Sequence, residues 1–243
     1  MCVVDVTALR RREEDLATIG GMTQMPTPSP QPSVPTPMRV GPHELSVVGI
    51  VAVSRTAACT RYAKDADRAP RMNARVDLLR MSAWEVESFD RVVALASAHG
   101  IDATGAAERF TDVLGDFDER LRPLDWAERL VKTYIAFGLL IDFGMALSDS
   151  LTEPLRSGLI DELGQDPIRS YAIAELDTVI AADPQLAARL GLWSRRVVGE
   201  EIGTFQRLLA QFPELLGTTA PERLHAVLSQ GAVSRMKGLG LRV

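Results

Sequence analysis

The sequence predicts an all-α protein, a bundle of four long helices with two or three further helices packed around it towards the C-terminus. Three observations carry this reading. Apolar residues recur at helical spacing through each long segment, as Leu78, Met81, Val86 and Phe89 do in the second. Pro42, Pro70, Pro123, Pro184, Pro213 and Pro221 fall between segments or in their first turns, where a missing N–H costs least. No segment alternates apolar and polar residues with the period of a strand.

Residues 1–42 read as a disordered, proline-rich tail, because MPTPSPQPSVPTP from Met25 buries too little apolar surface to offset its ordering entropy. The stretch Val6–Ile19 is compatible with a short, weak helix, and Met22, Met25 and Met38 are alternative starts. The helical domain is expected over residues 43–243. Its first helix opens at Pro42-His43 and runs to about Asp67, before the break at Pro70. The second runs from about Met72 to His99, with Gly100 as its stop signal. A connection over 101–124 holds a short helix, roughly Ala106 to Leu114. Asp125 is the expected N-cap of a third long helix that reaches about Leu147. A fourth is capped by Thr152 and broken near Asp166 by Gly164 and Pro167. A fifth runs from Pro184 to Pro213, and a last one from about Pro221 to Lys237.

Of the 243 residues, 46% are hydrophobic and 24% charged, the balance of a packed globule. The net charge of -5 supplies no overall basic field for nucleic acid. Cys2 and Cys59 form no metal-type spacing, and Cys59 is expected as a small buried hydrophobe. No apolar run is expected to be both long and uncharged enough to span a bilayer, and the N-terminus does not have the layout of a signal peptide. The expected location is cytoplasmic and no membrane partner is expected.

Glu85 falls on or beside the apolar stripe of the second helix. A carboxylate there must be paired, bound to a metal or protonated, because burying it alone costs too much. A di-iron bundle needs inward-facing glutamates and Glu-x-x-His pairs. The chain has three histidines, His43, His99 and His225, and none follows a carboxylate at that spacing within a core helix. Each is expected to be exposed or locally bonded. Trp84, Trp126, Tyr134 and Trp193 are expected in the core, and no phosphate loop, nucleophile elbow or Cys-His pair is present.

A string of phrases carries a resemblance. In order they are Arg61-Tyr62-Ala63-Lys64-Asp65-Ala66 with Ala69-Pro70, Met81-Ser82-Ala83-Trp84-Glu85, Asp125-Trp126-Ala127-Glu128-Arg129-Leu130-Val131-Lys132-Thr133-Tyr134, and Asp142-Phe143. Ala182-Asp183-Pro184, Leu192-Trp193-Ser194-Arg195-Arg196-Val197-Val198-Gly199-Glu200, Gln206-Arg207 and Arg235-Met236-Lys237-Gly238-Leu239-Gly240-Leu241 follow. From about residue 45 to the end the chain resembles the actinobacterial ferritin-like proteins related to tRNA 2-methylthio-isopentenyladenosine hydroxylase. The resemblance implies a ferritin-like bundle, non-haem di-iron and oxygen-dependent hydroxylation.

The ligand positions that the resemblance implies are mostly replaced. Arg55 stands where the first helix of the family places a glutamate. Glu85 matches, but Ser88 replaces the paired histidine. Phe137 replaces an acid on the third helix, and Gln165 and Ile168 replace the acid and histidine of the fourth. Of about six ligands, Glu85 alone survives. Arg55 is a permanent cation and no metal ligand. The expectation is a buried Arg55–Glu85 ion pair with Ser88 as its hydrogen-bond partner, with Phe137 and Ile168 filling the remaining volume.

Two functions follow from different classes. The first is a bundle that has lost its di-iron site, carries no cofactor and acts as a non-catalytic partner of another protein or of itself. The alternative is a di-iron oxygenase with two irons per chain, acting on a modified tRNA adenosine or other substrate through shifted ligands such as Glu85, Glu87, Asp142, Glu162 and Glu200.

Overall fold

Proline at its first position and Glu44 in its first turn start helix α1, Pro42–Arg68, with the Glu44 carboxylate accepting from the Gly41 N–H at 3.0 Å. The computed structural model describes residues 40–113 and 121–243. The chain divides into units Met1–Pro37 and Met38–Val243. The expected tail up to residue 39, with its Val6–Ile19 helix, lies outside the described residues, as does Cys2.

A three-residue turn joins α1 to α2, Met72–Ala98, so the two run side by side as a helical hairpin. Gly100 follows at φ +73°, the left-handed conformation in which a side chain is penalised, so the predicted stop is where the sequence puts it. The short helix of the connection, α3, spans Ala103–Glu108, starting three residues before the expected Ala106, and the expected end at Leu114 lies outside the described residues. Asp102 moves its start, since the carboxylate accepts from the Gly105 N–H at 3.0 Å and caps the first turn.

Helix α4, Trp126–Ser148, has the predicted cap: the Asp125 side chain accepts from the Glu128 N–H at 2.9 Å. The next long element comes in two pieces, α5 at Leu155–Leu163 and α6 at Pro167–Ala182. Asp166 caps the second piece by accepting from the Arg169 N–H. Thr152 contributes its backbone carbonyl, which accepts from the Arg156 N–H, and the Glu153 carboxylate accepts from the Ser157 N–H at 3.2 Å in the first turn of α5. Asp183 caps α7, Pro184–Gln211, through two backbone N–H groups. A 3-10 turn at Pro213–Leu216 leads to α8, Pro221–Gly238. Among the described residues there is no strand.

Helix α1, α2, α4 and the α5–α6 pair form the four columns of the bundle, and α7 and α8 cover further faces of α4. Helix α4 touches α1, α5, α6, α7 and α8, so it is apolar on nearly every side. It corrects one expectation from the sequence. By length and composition α4 is apolar enough to cross a membrane, yet 72% of that window is buried inside the bundle. A central helix wrapped by protein and a helix wrapped by lipid obey the same composition rule.

The rings of Phe143 on α4 and Phe205 on α7 stack with centroids 4.5 Å apart and planes 6° apart. Both are fully buried where the added helices meet the bundle. Phe143→Ala is expected to cost about 3–5 kcal/mol in urea denaturation, through lost burial and a residual cavity.

Candidate functional site

The centre of the bundle follows from the hairpin register. Arg55 lies 13 residues before Arg68, the end of α1, and Glu85 lies 13 residues after Met72, the start of α2. Two helices joined by a short turn bring such positions to one level. The Arg55 guanidinium Nη1 donates to Glu85 Oε2 at 3.2 Å, and each residue is 2% exposed. One turn nearer the hairpin the Ser82 hydroxyl donates to the Cys59 carbonyl at 2.9 Å, which fixes the same register. Cys59 is half-buried rather than fully buried, with its Sγ 3.3 Å from the Ser82 hydroxyl.

Ser88 is not part of the pair. Its hydroxyl donates to Glu162 Oε2 on α5 at 3.0 Å, and Arg91 holds the other Glu162 oxygen at 2.8 Å. Three residues advance a helix by less than a full turn, so Ser88 is rotated away from Glu85 towards α5. Tyr62 and Phe137, with ring centroids 5.8 Å apart, line the space beside Arg55 and Glu85. That space measures about 10 Å³, room for one water at most. Ile168 is fully buried, whereas Gln165 is exposed at the α5–α6 break.

The other acids considered as ligands are separately engaged. Asp142 on α4 is held by both terminal nitrogens of Arg235 on α8. That grip needs Gly138, where a Cβ would collide with Arg235, and Gly231, where one would collide with Asp142. Glu162 is held by Ser88 and Arg91, Glu87 is exposed, and Glu200 is half-buried on α7. Among the described residues no group of three or more His, Cys, Asp or Glu is placed to hold a metal ion. His99 bonds the Leu95 carbonyl and His225 is exposed. His43 is bonded over a long range and not locally, to the Glu214 carbonyl and the Ser150 hydroxyl, where it ties the start of α1 to two distant turns.

A family model described as a ferritin-like domain of actinomycetes matches residues 43–219. The chain belongs to that family. No curated protein matches it. The ferritin-like domain therefore takes in all four columns of the bundle and ends just beyond the 3-10 turn.

The donor set at the centre of this ferritin-like domain does not fit a di-iron pair. The groups lining the space are one carboxylate, one guanidinium, one phenol, the Ser54 hydroxyl, which donates to the Val51 carbonyl, and hydrocarbon. Arg55 Nε and Nη2 are buried with no hydrogen-bond partner among the described residues. A metal cation beside them would add like charge to a guanidinium already short of acceptors. Sequence reasoning missed Asp166 as a neighbour of this centre. Its charge acts on both Glu85 and Tyr62, and burial raises its own carboxyl. The Asp-Pro at the α6 start signals a cap, and the Asp166 carboxylate accepts from the Arg169 N–H there.

A second polar cluster lies nearer the hairpin turn. Buried Asp65 accepts from Thr133 at 2.5 Å and from Arg129 at 3.2 Å, with Arg61 3.6 Å away. Lys132 beside it is buried and donates to the Leu121 carbonyl at 2.7 Å. Burial, reinforced by Arg61, lowers its amine to about 7. Arg61, Arg129 and Lys132 border a groove of about 850 Å³ that Lys64, Arg68 and Arg122 also line. Arg61, Arg129 and Lys132 all make contacts within the domain there, which gives them a structural role.

Breaking the Arg55–Glu85 pair from one side leaves a buried charge alone. Arg55→Leu is expected to cost about 3–5 kcal/mol in denaturant unfolding, and Arg55→Leu with Glu85→Leu to recover most of it. An unchanged melting temperature for Arg55→Leu would contradict the buried pair.

Burial raises the Glu85 carboxyl from 4.5 to about 7, against the opposing pull of Arg55. Between those values the folded chain keeps a proton that the unfolded chain releases. This group therefore makes stability fall as pH rises from about 4.5 to about 7. Glu85→Gln is expected to remove that fall, read as urea midpoints compared between about pH 5 and about pH 7.

Proposed function

We propose that this ferritin-like domain has exchanged its central metal site for the Arg55–Glu85 ion pair and works by binding another protein chain rather than by oxygen chemistry. The observation that supports the reading most is the guanidinium at 3.2 Å from Glu85, both residues buried, in a space of about 10 Å³. A catalytic centre needs ligands for its metal and room for substrate beside it. This centre has an arginine in place of the first and a tyrosine and phenylalanine filling the second.

Kinship with tRNA 2-methylthio-isopentenyladenosine hydroxylase is the finer part of this reading. It rests on the ordered phrases from Arg61 to Leu241, several of which contribute contacts that hold the fold. Under this kinship the domain kept the architecture and lost the ligands. The oxygenase alternative draws its ligands from Glu85, Glu87, Asp142, Glu162 and Glu200, and three of these, Glu85, Asp142 and Glu162, are each bound to an arginine.

Elemental analysis of protein purified from iron-supplied cells tests the reading. Less than about 0.1 iron per chain is expected. About two irons per chain, lost on Glu85→Ala, would restore the oxygenase.

A further inference from the structure

Helix α2 is apolar on two opposite faces. One face packs into the bundle through Ala74, Leu78, Met81 and Val92. The other carries Met72, Val76, Leu79, Ala83 and Val86, whose spacings alternate four and three, and after Asp90 the same register ends at Val93, which is half-buried against the core. That is a heptad seam, the pattern that seats one helix against another. The seam is open, since Met72 is 70% exposed, Leu79 47% and Val86 49%. The remaining large exposed apolar residues, such as Leu124, Val179 and Leu192, lie singly on other segments, as surface apolar residues commonly do.

The charges beside the seam select its occupant. Arg80 and Glu87 both immediately follow seam positions, Leu79 and Val86, so they flank the seam on the same side. Turning the helix about a two-fold axis between Ala83 and Trp84 exchanges positions 80 and 87. Arg80 of one copy then meets Glu87 of the other, twice, and Ala83 near the axis permits close approach. Among the described residues Arg80 reaches Asp77, at 3.2 Å on an exposed surface, a pair that costs little to leave. A parallel pairing would oppose like residues instead. The face is complementary to itself in the antiparallel sense, as an isologous dimer requires.

We propose that α2 is the dimerisation face of this protein, pairing antiparallel with α2 of a second copy through the Met72–Val93 seam. This deepens the binding reading above by naming the partner, and its test uses no metal. The seam is about 32 Å long at 1.5 Å per residue, and a single helix pair of that length lies at the small end of stable interfaces, so affinity in the micromolar range is expected. The pair would also bring two bundles together on the side away from the Arg55–Glu85 centre, so variants at the two places act separately.

Sedimentation velocity of the full chain at about 100 µM is expected to give twice the chain mass of 26.5 kDa. Leu79→Lys with Val86→Lys, both on the exposed face, is expected to give a monomer with unchanged helical circular dichroism. Arg80→Glu is expected to weaken the dimer about tenfold, and Arg80→Glu with Glu87→Arg to restore it. A monomeric native chain overturns the proposal. Protection of Met72–Val93 from hydrogen exchange in such a monomer would assign the seam to another part of the chain. A dimer that ignores the lysine substitutions, or that the charge reversal fails to rescue, places the interface elsewhere and overturns it equally. Iron bound by a dimeric protein would refute the metal-free reading and leave the dimer standing.

Discussion

A charge inside a helical bundle must be neutralised where it stands, and the pairing of Arg55 with Glu85 meets that constraint at the level where α1, α2 and α4 converge. Other features of the interior follow. Tyr62 and Phe137 pack against the pair and close the space beside it. Glu162 and Asp142, which would otherwise add negative charge near the centre, each take an arginine from a neighbouring helix. The guanidinium keeps two donors without acceptors, so the arrangement is held by the packing around it and not by full satisfaction of its polar groups.

The phrases that carried the family resemblance turn out to be joints of the fold. Asp65 on α1 bonds Thr133 and Arg129 on α4, which links two of them directly. The Trp193 indole donates to the Glu128 carbonyl at 2.8 Å, and Arg189 spans Asp125 and Glu128, so α7 is clamped to the start of α4. Arg235 of the last phrase reaches Asp142 of an earlier one. Polar contacts between helices demand particular residues at particular places, whereas apolar contacts tolerate exchange.

Local chemistry made most of the elements legible. Asp125 and Asp183 cap helices, Gly100 ends one, and Gly164 with Pro167 divides another. The short helix was misplaced because Asp102 competes with later residues for its start, and the bilayer expectation failed for α4 because a helix surrounded by protein reads like one surrounded by lipid. At the site, the Arg55 and Glu85 positions could be paired from hairpin register, but the rotation of Ser88 towards α5 could not. It depends on where α5 sits, which no local pattern records.

By itself, the sequence determined the all-α class, the helix borders set by caps and prolines, and the identity of the charges that lie on apolar stripes. These are properties of spacing within about one or two turns, over which a helix is its own reference frame. Only the tertiary structure decided which acid each arginine serves, that the charge of Asp166 at the α6 cap acts on Glu85, and that one apolar stripe of α2 is covered while the other is left open. Those facts are set by the placement of one helix against another, and that placement results from contacts distributed over the whole bundle.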